Sequence, residues 1–216
     1  MKQEAKTQLS KKRIAQTAMT LFLQKGYEET TMREIVHKSG RSKGAIYHHF
    51  SSKQEILNFQ ISLEMDNLRQ CLDALISNNQ LNAQQKFKGI LTYFFENPSL
   101  TELTRLHWAE KLPFALLETL KNSLTVVAQY IEAIIQQEIK EKKLNCQYSK
   151  ELSEILVLLF DIWLDPSIVD FDYQTACQRI DFIALLLEKF GLPLLDENDK
   201  NKLKNGLKHY DEKNTL

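Results

Sequence analysis

The sequence predicts an all-α fold, with a short N-terminal helix-turn-helix head of three helices and a larger C-terminal helical bundle. Three observations predict it. Six Gly and four Pro in 216 residues are too few for a turn-rich β protein. Leu, Ile, Lys, Glu and Gln, all good helix formers, dominate the composition. Apolar residues recur at steps of three and four over long stretches, the period of a helix with one buried face.

The elements follow in chain order. Residues 1–8 are polar and expected to fray. From Leu9 to Lys25 the residues Ile14, Ala18, Leu21 and Phe22 mark one helical face, and Gly26 ends the helix. Thr31 with Glu34 fits a capping box, in which hydroxyl and carboxylate each satisfy an early helix donor. Ile35 and Val36 supply that helix's apolar side, and Ser39-Gly40 stops it. Ser42 is an N-cap for the next helix, where Ala45, Ile46 and Phe50 form a small buried stripe. Ser52 with Glu55 reads as a second capping box, opening a helix that runs to about Ile76. Further helices are expected over Ala83–Glu96, Ser99–Lys111, Pro113 to about Lys143, Ser149–Leu164 and Tyr173–Phe190. A polar segment follows as a short helix or loose tail. The Ser149 and Tyr173 helices carry apolar residues on nearly every side, so each needs two partners. One is the chain's own core. The second is either another helix of the same chain or the same two helices of a second copy, and a two-fold axis would make that patch self-complementary.

Helix, Gly-containing turn and helix is an arrangement whose second helix can enter a DNA major groove. Here that helix offers Lys43, Tyr47, His48 and His49 away from its apolar stripe. The alternative is a solvated hairpin with ordinary surface charge. Charge distribution separates the two. Residues 1–53 carry eleven basic and four acidic side chains, a net +7, so the remainder of this neutral chain carries −7. A basic head on an acidic body is the electrostatic footprint of a nucleic-acid partner.

With those residues in view, the first quarter of the chain resembles the TetR/AcrR transcriptional regulators. Thr31, Ile35, Gly40, Ser42, Gly44, Tyr47, His49, Phe50, Ser52 and Lys53 sit in that family's pattern. Ile14, Ala18, Phe22, Gly26 and Tyr27 match its first helix and exit. Arg41 stands where Val is common and Ala45 where Thr is common, which changes the detail of operator contacts. The resemblance implies a homodimeric regulator whose head binds a near-palindromic double-stranded DNA operator. Its body would bind a small-molecule effector of unknown identity. Repression with effector release is the expected mode, and an effector-independent DNA-associated structural or cell-division protein is the alternative.

The boundary is expected inside a continuous helix, giving a DNA-binding domain over 1–55 and an effector and dimerisation domain over 56–216. The DNA-contacting set is Thr31, Arg41, Ser42, Lys43, Gly44, Tyr47, His48 and Lys53. Thr31, Ser42, Tyr47 and Lys53 are expected on phosphates, and Lys43 and His48, with Arg41, on base edges. Candidate ligand residues are Phe94, His107, Trp108 and Tyr130, although core packing accounts equally for periodic aromatics. Candidate dimer residues are Leu158, Ile162, Phe182 and Leu186.

Catalysis finds no support in the motifs: there is no Gly-rich phosphate loop, zinc spacing or GxSxG. No cofactor and no metal is expected. Asp161 and Asp165, one turn apart, read as a solvated pair. Cys71, Cys146 and Cys177 are widely spaced and expected as reduced thiols. No apolar signal core opens the sequence and no apolar run is long enough to span a bilayer, so a cytoplasmic location without membrane partners is expected.

Overall fold

The computed structural model describes residues 2–97, 100 and 106–211. Every regular element among them is helical. They are α1 (Lys2–Lys25), α2 (Met32–Ser39), α3 (Lys43–His49), α4 (Lys53–Ser77), α5 (Ala83–Phe95) and α6 (Trp108–Lys111), then α7 (Pro113–Asn122), α8 (Ala128–Lys140), α9 (Ser149–Leu158), α10 (Tyr173–Lys189) and α11 (Glu197–Asp211). A π-helical turn over Ser123–Val127 joins α7 to α8, and a second over Leu159–Trp163 extends α9.

The chain forms two compact units. The first comprises Met1–Gln70 and Trp108–Leu116, the second Cys71–His107 and Leu117–Leu216. The first unit thus takes in most of α4, beyond the 55/56 position expected from sequence, and also recruits α6. Its core explains why. Phe22, Ile35, Ile46 and Phe50 close the head, and Leu112 and Ala115 are buried in the same cluster, with Trp108 packed against it. Each fully buried side chain of this size contributes about 1.5–3 kcal/mol.

In the second unit, α8 packs against α5 and α9, and α10 against α11. Asn82 and Gln85 form a reciprocal capping box at the start of α5. Gly89 faces Leu75, and a Cβ built there would lie 2.5 Å from Leu75 Cδ2, so glycine permits the close approach of α5 to the end of α4. Lys86 is buried, and its ammonium donates to the Ile76 carbonyl and to Gln137 Oε1, each at 3.0 Å. It therefore satisfies a carbonyl at the C-terminal end of α4, where the helix dipole favours a cation. Helix α11 buries Leu203 and Leu207. Lys88 pairs with Asp196 at 2.7 Å and Asp199 at 2.9 Å, and Lys204 with Asp181 at 2.6 Å.

Several expectations from sequence are corrected. Helix α1 begins at Lys2 rather than Leu9, because no breaker separates the polar residues from the apolar periodicity. The helix expected over Ser99–Lys111 is interrupted: His107 has φ +51°, in the left-handed region, and α6 starts only after it. Residues 98, 99 and 101–105 lie outside the described residues. The helices expected to run unbroken from Pro113 and from Ser149 each contain a π turn. At the start of α4 only half of the expected box forms. Ser52 Oγ accepts from the Glu55 N–H, whereas the Glu55 carboxylate reaches back to the N–H and hydroxyl of Ser51. No helix among the described residues is long and apolar enough to cross a membrane.

Candidate nucleic-acid interface

The interface is built from caps outward. Thr31 is the N-cap of α2: its Oγ1 accepts from the Glu34 N–H at 3.3 Å, and Glu34 Oε2 accepts from the Thr31 N–H at 2.8 Å. The Glu34 carboxylate also receives the Lys25 ammonium, and that bond with those from Thr31 holds its pKa down to about 2. Gly40, at φ +63°, ends α2 and reverses the chain. Ser42 then caps α3, its Oγ accepting from the Ala45 N–H at 3.2 Å.

Helix α3 has two turns and two faces. Ile46 and, at its C-terminal cap, Phe50 are buried, which turns Lys43, Gly44, Tyr47 and His48 outward. Arg41 and Ser42 in the preceding turn are exposed as well. Tyr47 is 43% exposed and lies 5.7 Å below the Lys43 ammonium, so its phenol is presented beside a cation. His49 is half-buried, its pKa lowered by burial and then by the charges of His48, Lys11 and Arg41, and it stays neutral at pH 7. Exposed Lys12 and Arg13 on α1 extend the positive surface of the head.

Lys53 departs from this outward pattern. Its ammonium donates to the carbonyls of Tyr27 at 2.7 Å and Glu28 at 3.1 Å and sits 4.3 Å over the Tyr27 ring. Tyr27 is a node the sequence reading passed over. Its hydroxyl donates to Gln54 at 2.9 Å, its N–H to the Lys111 carbonyl at 3.2 Å, and its ring packs edge-on against Phe114 at 6.3 Å. The Gly-Tyr dipeptide ending α1 marked a turn, but nothing local to it identified those partners.

The four candidate ligand residues occupy different surroundings. Trp108 packs against the core of the first unit. In the second unit His107 is exposed, Phe94 packs edge-on against Tyr93 at 5.5 Å, and the Tyr130 hydroxyl donates to Asp73 at 2.7 Å. Of the candidate dimer residues, Phe182 is 50% exposed, while Leu158, Ile162 and Leu186 are half-buried. Ile155 and Leu185 are about as exposed as Phe182 and belong to the same two helices, α9 and α10.

Asp161 is the clearest reversal. It is not solvated: burial raises its pKa to about 6, and the charge of Asp165 adds to the effect. Its position as the lone acid in the apolar run from Ile155 to Leu164 was the available signal. Among the described residues no group of three or more His, Cys, Asp and Glu side chains is placed to hold a metal ion, and the three cysteines are free thiols.

Residues 14–58 match the family model described as bacterial regulatory proteins, tetR family. Over 63 residues the chain is 40% identical to the HTH-type transcriptional regulator YerO of Bacillus subtilis, a match spanning 27% of this chain and 22% of that protein. It is 25% identical to the IcaR negative transcriptional regulator of the biofilm operon icaADBC in Staphylococcus epidermidis, over 90% of this chain and 92% of that one. A transcriptional regulator from Cytophaga hutchinsonii shares the fold with a TM-score of 0.55 and 19% identity, covering 92% of this chain and 93% of that chain.

Proposed function

We propose, from its membership of the TetR/AcrR family of DNA-binding regulators, that this chain acts in the cytoplasm as a homodimeric repressor of a near-palindromic operator. Family identity makes it a DNA-binding protein rather than an enzyme. The observation carrying the proposal is the outward face of α3, where Lys43, Tyr47 and His48 are displayed while Ile46 anchors the opposite side. In this reading α3 enters the major groove, Lys43 and His48, with Arg41, read base edges, and Thr31, Ser42 and Tyr47 hold phosphates that fix register. Gly44 leaves the helix start without a side chain between backbone and duplex. Lys53, turned onto the Tyr27 and Glu28 carbonyls, positions the α1–α2 turn and reaches phosphate only by releasing them.

Two copies would meet through α9 and α10, covering Phe182, Leu185 and Ile155 together with Leu158, Ile162 and Leu186. Their heads would address half-sites about 34–36 Å or a multiple apart. A small-molecule effector in the body would release DNA by binding the non-binding arrangement more tightly, since equal affinity for both shifts nothing. IcaR is a negative regulator by name, and that mode is the one proposed here.

The test is a gel shift on the chain's own promoter fragment against salt. Affinity should fall linearly on a log–log plot with a slope of about −0.9 per phosphate neutralised. Tyr47→Phe should weaken all sequences alike, whereas Lys43→Ala and His48→Ala should change which base pairs are preferred. Equal losses on every sequence from all three would overturn the division of roles. No binding at low salt would overturn the function.

A further inference from the structure

Helices rarely accommodate a π turn without a reason, and such turns recur at functional sites. Here two of them are bonded to each other. The Ser123 hydroxyl, at the start of the turn over Ser123–Val127, donates to the Asp161 carboxylate in the turn over Leu159–Trp163. Among the described residues no Lys, Arg or His pairs with that carboxylate, and Ser123 is the side chain that bonds to it. A carboxylate removed from water and given no cation is costly, and proteins ordinarily avoid it by pairing or by solvation.

A second observation bears on the same place. The Asp161 carboxyl lies deep among protein atoms, deep enough for burial to dominate its titration. Yet none of the five residues of its π turn is fully buried, and Asp161 itself keeps accessible surface. Depth together with retained accessibility describes the wall of an internal hollow rather than packed core. Beside Asp161 in the chain, Phe160 packs edge-on against Phe87 at 5.7 Å and Phe95 at 6.5 Å, so aromatic surface adjoins the acid.

We propose that Asp161, oriented by Ser123, is the anionic anchor of a binding site in the second unit for an organic cation: an aromatic or hydrophobic amine in its protonated form. The ammonium donates to the free lone pairs of the carboxylate, supplying the missing counter-charge, and the apolar remainder lies on the aromatic side. A neutral or anionic ligand of the same shape cannot supply that charge, so discrimination arises from one buried ion pair. This deepens the proposed regulatory function, resting on it for the role of the ligand but not for its binding.

The test uses 1-naphthylmethylamine, 1-naphthylmethanol and 1-naphthylacetate, near-isosteric cation, neutral and anion, each titrated into the full chain by calorimetry. The amine should bind at least about tenfold more tightly than the alcohol, the worth of one charge-assisted hydrogen bond, and the acetate should bind weakest. Asp161→Asn should erase the preference while leaving alcohol binding in place, and Ser123→Ala should reduce it. Operator binding without ligand, measured on the same samples, shows that the variants are folded. Amine and alcohol binding alike, no binding of the amine, or a preference that survives Asp161→Asn would each overturn the proposal. A protein that prefers the amine but fails to bind DNA would keep this site and lose the regulatory function. One that binds DNA without the preference would do the reverse.

Discussion

Replacing Asp161 by Asn should stabilise this protein, and should do so only at the pH where the acid is charged. Asn keeps the shape and an oxygen to accept from Ser123, and removes the ionisation. The folded state raises the carboxyl from its ordinary 3.8 to about 6, so the protonated form is favoured by folding. The associated stability is fully present below about pH 4 and is lost as pH rises through about 6. Over that interval the cost of the charge grows to about 3 kcal/mol, at 1.36 kcal/mol per pH unit between the two values. Water reaching the hollow lowers the realised amount to about 1–3 kcal/mol. Urea unfolding at fixed protein concentration, run in parallel at about pH 5 and about pH 8, reads the difference, the fixed concentration being needed because self-association shifts apparent stability. Asp161→Asn should gain most at the higher pH and least at the lower. A gain that does not depend on pH, or a variant less stable than the parent at about pH 8, would refute the assignment of a buried, uncompensated acid.

Other outcomes follow from the same geometry. Thr31→Ala removes the N-cap of α2 and should cost about 1 kcal/mol in denaturant unfolding, with weaker operator binding in gel shift. Lys86→Met leaves the Ile76 carbonyl and Gln137 without their donor and should destabilise by about 1–3 kcal/mol, read as a lower midpoint at unchanged slope. Phe182→Glu places a charge on the exposed face of α10. It should convert a dimer to a monomer in analytical ultracentrifugation while the helical circular dichroism is retained; an unchanged sedimentation coefficient would exclude that face as the interface.

What could be read without coordinates was whatever is decided within a few residues of chain. The Thr31–Glu34 cap, the Gly40 turn, the Ser42 cap and the Ile46 stripe all join positions three or four apart, and those spacings are visible in the order of residues. The same holds for the sign of the charge on residues 1–53. The all-α class and the outward face of α3 were legible for that reason.

Tertiary packing alone decided the partners that lie far along the chain. Lys53 looked like a phosphate-binding cation at a helix start, but it spends its ammonium on the Tyr27 and Glu28 carbonyls. Asp161 looked solvated, one turn from a second acid, but Ser123 and the helices around it take it out of water. Periodicity says that a face is buried and is silent on what buries it. Trp108 and Leu112, expected in the body, therefore went to the core of the head. A hydrogen bond three residues away is a property of the helix itself, whereas one formed 38 residues away exists only once two helices have been brought together.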